Sequence, residues 1–413
     1  MTKIAGEPPV RALHRNVWVA GGTSFLTDVS SEMLQNVLPL FLANVLGVRI
    51  WAVGVVEGLA ESTASVLKLY SGWLSDRLRA RKWLAVGGYG ISASAKPFYL
   101  LATSWPVVAA IRWADRVGKG VRTAPRDALL ADSTAAAHRG LAFGVHRAAD
   151  TAGAVAGLLV TLVVVTRVQG GALTLEAGTF RTLVLWSLVP ASLAVVLLAA
   201  GARDVPVGGG KDDRPQLGLR GLGRGFGAFV LCSAIFQLGN SSDAFLILRA
   251  QERGLGVVEL LWMLLAFNAV YALTAVPAGA VADRIPRKRV LVAGWTAYAL
   301  VYVGFALAQS AAHVVALFVM YGAYHGLAAG SAKALVTDLV DASLRGTAFG
   351  TYHAVIGLMS LPASVLAGVL WEGWGSWPGL GPSAPFALGA GLAGVAVILL
   401  LATVPEPETP AGR

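Results

Sequence analysis

The 413-residue chain is 56% hydrophobic and only 14% charged, with a mean hydropathy of +0.65. A soluble domain carries about 25% charged residues, so this composition excludes a surface that faces water on all sides and points to a bilayer as the second solvent. The net charge of +10 invites a nucleic-acid reading. The basic residues argue against it, because they gather in short segments between apolar runs: Arg77, Arg79, Arg81 and Lys82; Arg203, Lys211, Arg214, Arg220 and Arg224; Arg284, Arg287, Lys288 and Arg289.

Taken in chain order, the polar stretch Met1–Asn16 holds Pro8 and Pro9 and no signal-peptide core, so the first span itself is expected to direct insertion. Apolar spans follow at about 17–46, 51–75, 83–104, 105–127, 139–165, 180–201, 225–249, 258–282, 290–309, 313–337, 346–371 and 384–404, each near the roughly 20 residues that a spanning helix needs. Val290–Ala332 contains no Asp, Glu, Lys or Arg. It is too long for one crossing and suits two, with a turn near Gln309–His313. Runs such as Leu158–Val165 are continuously apolar, which excludes the alternation of a membrane barrel. The segment 202–224, with Gly208–Gly210, Lys211, Asp212, Asp213 and Pro215, reads as a solvated linker. The basic clusters follow the positive-inside pattern, and with Lys3, Arg11 and Arg15 ahead of the first span both termini are expected in the cytoplasm. The single cysteine, Cys232, excludes an intrachain disulfide and reads as a small packing residue.

The sequence repeats itself. Gly72-x3-Asp76-Arg77 returns as Gly279-x3-Asp283-Arg284, an offset of 283 − 76 = 207. Arg139-Gly140-x-Ala-Phe-Gly144 returns as Arg345-Gly346-x-Ala-Phe-Gly350, an offset of 345 − 139 = 206, preceded by Ala128-Leu129 and Asp132 against Ala334-Leu335 and Asp338. Ser30-Ser31-Glu32 is matched by Ser241-Ser242-Asp243 at 211. Ordered matches at nearly one offset indicate duplication of a six-helix unit. The expected organisation is an all-α membrane protein of twelve transmembrane helices: a six-helix bundle over 1–201, a cytoplasmic linker over 202–224 and a second bundle over 225–413. Parallel halves of this kind are related by an axis along the membrane normal, with the solute site between them near the midplane.

These residues resemble the major facilitator superfamily. The family's loop signature is Gly-x3-Asp-[Arg/Lys]-x-Gly-[Arg/Lys]-[Arg/Lys]. Here it reads Gly72, Asp76, Arg77, Arg79, Arg81 and Lys82, with Arg79 in place of the second glycine; the second copy, Gly279, Asp283, Arg284, Pro286, Arg287, Lys288 and Arg289, also lacks it. Arg116-Val117-Gly118-Lys119-Gly120 resembles the family's Arg-x-x-Gln-Gly element, with Lys119 where Gln is usual, and the fifth span lacks the Gly-Pro-x-x-Gly-Gly element of many drug exporters. The resemblance implies two pseudo-symmetric bundles and a cytoplasmic gate, in which Asp76 meets the start of the eleventh helix near Arg345 and Asp283 the start of the fifth near Arg139. An acid there faces the positive end of a helix. The alternative is that the basic residues act on topology alone.

Ionisable residues within spans are functional candidates by default. In the first span Asp28 and Glu32 share a helix face, and Asn240 and Asp243 are their counterparts in the seventh. The two acids are suited to sharing a proton, binding a cation or pairing with a buried base. In the second span Glu57, Glu61 and Lys68 form one stripe, Glu57 being expected near the outer interface and Glu61 deeper. The fourth span places Arg112, Asp115, Arg116 and Lys119 on one face, which lipid does not tolerate, while Gly118 and Gly120 are expected to loosen the helix. Arg122 and Arg126 are expected to snorkel at its cytoplasmic end. In the fifth, His146, Arg147 and Asp150 allow a proton relay or a polar packing pair. The second half is poorer in charge, with His325, Lys333, Asp338 and His353, so coupling is expected mainly in the first.

Gly208-Gly209-Gly210-Lys211-Asp212 lacks the spacing and the Ser/Thr of a phosphate loop, and no metalloprotease, paired-cysteine or nucleophile-elbow motif is present. No enzyme activity, cofactor or metal is therefore expected. The expected function is proton-coupled secondary transport of a small solute or ion across the cell membrane, by a monomer, with no nucleic-acid partner. A membrane-embedded enzyme and a transporter-like ligand sensor are the alternatives.

Overall fold

In hydrocarbon each backbone N–H and C=O must be satisfied within the protein, and long apolar runs achieve this as helices. A computed structural model describes residues 13–78, 81–135, 138–205, 221–282, 285–328, 331–341 and 344–406. Among them are the helices α1 (Arg15–Gln35), α2 (Leu38–Leu40), α3 (Ile50–Leu78), α4 (Arg81–Ala95), α5 (Trp105–Asp132), α6 (Arg139–Val168), α7 (Ala177–Gly201), α8 (Gly223–Gly239), α9 (Ala244–Glu252), α10 (Val257–Ala282), α11 (Arg287–Leu307), α12 (Ala311–Ala328), α13 (Ser331–Leu339), α14 (Arg345–Glu372) and α15 (Ala384–Thr403). No strand occurs among the described residues; a lone Trp374–Trp377 bridge is the nearest approach.

Among the described residues, eight helical segments are long and apolar enough to cross a membrane. The shortfalls elsewhere have local causes. α1 carries Asp28 and Glu32, and it ends before Pro39, where α2 and a π turn (Phe41–Val45) continue the pass. α4 gives way at Pro97 to a 3₁₀ turn, Lys96–Leu101, because proline cannot donate to the preceding turn. α5 carries the charged stripe. The expected span 225–249 is one of the eight, although α8 and α9 within it are separated by Asn240–Asp243. Outward-facing Leu231, Trp262, Leu273, Leu300, Leu307 and Ile398 are all exposed, an apolar exterior of the kind that marks lipid contact.

Two contacts repeat across the chain. Arg81 at the start of α4 pairs with Asp132 at the end of α5, and Arg287 at the start of α11 pairs with Asp338 in α13 at 2.8 Å, both partners displaced by 206 residues (287 − 81 and 338 − 132). Arg139 donates to the Ala131 carbonyl at 3.2 Å, and Arg345, 206 residues on, donates to the Thr337 carbonyl at 3.5 Å. Sequence matches at one offset thus become equivalent contacts in space.

α3 runs against α14 along most of its length. The approach depends on small residues: a Cβ added at Gly54 would lie 2.2 Å from the Ser364 carbonyl oxygen, and one at Gly368 2.5 Å from the Trp51 Cα. The Ser62 hydroxyl donates to the Gly357 carbonyl at 2.6 Å. At the end of this pair remote from both described termini, Glu372 accepts the Ile50 N–H and lies 3.8 Å from Arg49. A carboxylate there complements the positive end of α3. Trp51 stacks obliquely on Trp374 at 4.4 Å beside them.

Gly54→Ala is therefore expected to lower stability by about 1–3 kcal/mol, because α3 and α14 must part. Gly87→Ala, where an added Cβ meets nothing within 4 Å, is expected to stay within about 0.5 kcal/mol of the parent. Thermal melts of the two variants in detergent provide the comparison.

Candidate functional site

The most charged helix, α5, sits where charge can be matched. Its backbone closes on α4 because a Cβ at Gly118 would lie 2.5 Å from the Gly88 carbonyl oxygen, and on α3 because one at Gly120 would lie 2.6 Å from the Leu67 Cβ. The two glycines, expected to loosen the helix, instead admit its neighbours, and α5 remains continuous from Trp105 to Asp132. Close contact brings α3 carboxylates to α5 guanidiniums. Arg112 lies 2.9 Å from Glu57, both side chains buried, and 3.8 Å from Asp115. Arg116 lies 3.1 Å from Glu61 and 3.4 Å from the Gln35 amide oxygen. Gln35 in turn donates to Glu32, as does Asn36 at 2.6 Å. Glu57, expected near an outer interface, is instead the buried partner of Arg112.

Opposite this wall, Gly239-Asn240-Ser241-Ser242-Asp243 interrupts the α8–α9 pass. Ser, Asn and Asp compete for backbone hydrogen bonds and so favour such breaks. The Tyr321 hydroxyl donates to Asp243 at 3.0 Å, Tyr298 to the Asn240 side-chain oxygen at 3.2 Å, and the Ser242 N–H to Ser364 at 3.2 Å. Gln237 bonds the Asn240 carbonyl at 3.1 Å and Ser360 at 3.4 Å. His325 stands edge-on to Tyr321 at 4.6 Å, its Nε2 buried with no hydrogen-bond partner among the described residues.

Between the walls lies a cavity of 410 Å³, within the range of about 300–1,000 Å³ typical of small-molecule sites. Of the residues singled out from the sequence, Glu57, Glu61, Arg112, Arg116, Lys119, Asn240, Asp243 and His325 line it. Glu32 stands behind it, joined through Gln35 and Asn36, and Asp115 turns towards Arg112.

The others form a second polar cluster between α1, α5 and α6. Asp28 stands beside Asp150. His146 Nε2 is 3.0 Å from the Ser24 hydroxyl rather than paired with Asp150, and Arg126 donates to the same hydroxyl at 3.1 Å. Arg147 lies 3.6 Å from Asp150 and reaches the Tyr271 hydroxyl of α10 at 3.1 Å. Arg122, expected at the membrane surface, is buried, bonded to Ser92 at 2.8 Å and set over the Tyr89 ring. Arg126 is mostly shielded and bonded to Asp127 at 2.8 Å. Lys96 was overlooked in the sequence although it is ionisable within a span; it is buried and donates to Ser30 and Ser31. Gln237, Tyr321, Ser360 and Ser364 carry no charge and had no signal in the sequence, whereas His325 in its apolar run did.

The expected gate is described only in part. Arg77 lies over the Trp73 ring, and Arg139 and Arg345 begin α6 and α14. Gly72 packs against Ala124. The Asp76 and Gly279 side-chain positions and the pair Asp283 and Arg284 lie outside the described residues. Among the described residues no cluster of His, Cys, Asp and Glu is arranged to hold a metal ion.

The model of the Major Facilitator Superfamily matches the chain twice, over residues 20–229 and 227–413. An uncharacterized MFS-type transporter of Methanocaldococcus jannaschii is 36% identical over 397 residues, 95% of either chain. Two solved structures share the fold: a nucleoside transporter, with a TM-score of 0.75 at 13% identity over 94% of this chain and 100% of the other, and a D-xylose–proton symporter, with 0.74 at 16% identity over 96% and 98%.

Removing one partner of a buried ion pair strands the other, whereas replacing both with apolar groups does not. Arg112→Met is thus expected to destabilise the protein by about 3–5 kcal/mol, and Glu57→Leu/Arg112→Met by markedly less. A double-mutant cycle of unfolding in detergent measures the difference.

Proposed function

The chain belongs to the major facilitator superfamily, and from that premise we propose that it is a secondary transporter that moves one small solute by alternating access, coupled to protons. The family is one of multi-pass membrane transporters rather than enzymes, acting on small molecules within a bilayer. The observation that carries the reading is the cavity, lined from both sides of the interface by ionisable and amide side chains.

In this reading the twelve spans are α1–α2, α3, α4 with its 3₁₀ turn, α5, α6 and α7, then α8–α9, α10, α11, α12–α13, α14 and α15. They form bundles over 1–201 and 225–413, joined by the linker 202–224. Interruption of the α8–α9 pass beside the cavity accords with the discontinuous helices of many transporter sites. The basic clusters orient both termini to the cytoplasm of a plasma-membrane monomer. Arg49–Glu372 and Trp51–Trp374 then close the outer side. Opening that side requires the α3–α14 contacts to rearrange, while Asp76 with Arg345 and Asp283 with Arg139 act as the inner latch.

Proton coupling is assigned to Asp28 and Asp150, with His146 one hydroxyl away. Two carboxylates side by side within a span repel each other, and a proton or cation between them relieves that repulsion.

In vesicles carrying a trapped pH-sensitive dye, adding a transported solute outside is expected to change lumenal pH with the parent protein and not in protein-free vesicles. Asp28→Asn is expected to cut that proton signal by at least about tenfold, since one coupling carboxylate is lost, while solute exchange between equal concentrations persists. Intact proton flux in Asp28→Asn would remove the residue from coupling. A transport reading fails if no small-solute class produces flux or exchange.

A further inference from the structure

The charges lining the cavity do not all have partners. Arg112 is matched by Glu57 and Arg116 by Glu61. Two charged side chains remain with no ion-pair partner among the described residues, Lys119 and Asp243, and both are exposed to the cavity. They lie on opposite walls: Lys119 on α5, one turn beyond Arg116, and Asp243 at the α8–α9 break. The Tyr321 hydroxyl that reaches Asp243 is a neutral donor and makes no ion pair with it, and His325, edge-on to Tyr321, is the basic side chain that faces Asp243 from α12. Beside His325, the second wall is formed by uncharged side chains, among them Gln237, Asn240, Ser241 and Ser360.

A cavity with one open cation and one open anion discriminates by charge pattern. A simple anion satisfies Lys119 and meets Asp243 as a like charge. A simple cation does the reverse. A neutral solute leaves both without a partner after water has been displaced, and unpaired charge in a shielded site is costly. Only a solute that carries both signs meets both walls at once. We propose that the transported solute is a zwitterion, its anionic group held by Lys119 and its ammonium by Asp243. The assignment rests on the transport reading and extends it to a substrate class. It also gives the solute a mechanical role, because its two charges join α5 to the α8–α9 break across the cavity. Solutes with one charge make half of that bridge.

The test uses purified full-length protein in detergent and a panel of α-, β- and ω-amino acids with uncharged side chains, each accompanied by its decarboxylated amine and its deaminated acid. Affinities are read from ligand-dependent thermal shifts. At least one amino acid is expected to bind about tenfold or more tightly than both of its single-charge analogues, the usual scale for one hydrogen bond to a charged group. Lys119→Gln is expected to reduce that amino acid to the affinity of its amine without altering the amine. Asp243→Asn is expected to reduce it to the affinity of its acid. Lys119→Arg is expected to keep most of the preference, which separates loss of charge from loss of fold. Single-charge analogues binding as tightly as the zwitterion, or a panel that leaves the parent protein's melting temperature unchanged, overturns the proposal. Flux of the same panel into vesicles distinguishes the two readings. Passage of anions or amines without preference for zwitterions removes the charge assignment and leaves transport intact. Zwitterion binding that depends on Lys119 and Asp243, with no passage of any member, does the opposite.

Discussion

The α5 stripe sets the terms for the rest of the molecule. Four charged side chains on one face of a helix are intolerable against lipid and expensive against an apolar core. The fold answers with two acids from α3, placed at contact distance from Arg112 and Arg116. That pairing requires α5 to lie close to α3 and α4, and the closeness requires Gly88, Gly118 and Gly120 to lack side chains. Small residues in one part of the sequence thus make charge possible in another. In lipid such residues commonly set how near two helices come.

The same logic reaches the interface between α3 and α14. α3 has two duties: its carboxylates neutralise α5 on one side, and its glycines admit α14 on the other. Movement of α3 relative to α14 therefore carries Glu57 and Glu61 with it. The cavity charges are in this way mechanically tied to the α3–α14 contact. Arg147, reaching Tyr271 from α6 to α10, supplies a second crossing contact of the same kind.

The two walls of the cavity differ in chemistry. The α3–α5 wall is built of ion pairs, which hold their geometry through strong directional contacts. The wall from α8, α9, α12 and α14 is built of amides, hydroxyls and tyrosines around one carboxylate. The second wall thus offers many uncharged donors and acceptors, which exchange readily with water, around a single carboxylate.

Membrane residence, the helical class and the internal repeat were legible in the sequence, because all three depend on one-dimensional patterns: the length of apolar runs, their continuity and an offset of about 206 residues. The repeat reappears in space, since Asp132 and Asp338, which recur at that offset, each pair with an arginine at a helix start. The charged stripes of α3 and α5 were visible as spacings of three and four. What no spacing could reveal was which acid meets which base. Asp28 and Glu32 share a helix face, yet they diverge, one towards Asp150 and the other towards Gln35 and Asn36. Glu57 reads along the chain as a residue near the outer interface and is the buried partner of Arg112. His325, Tyr321, Gln237 and Ser360 joined the site only when α8, α12 and α14 packed around it. The sequence by itself determined the solvent, the helices and the duplication, because hydrophobicity acts along the chain and needs no partner. Tertiary structure alone decided the pairing of charges and the cavity between them, because a Coulomb contact depends on distances between helices that the order of residues does not specify.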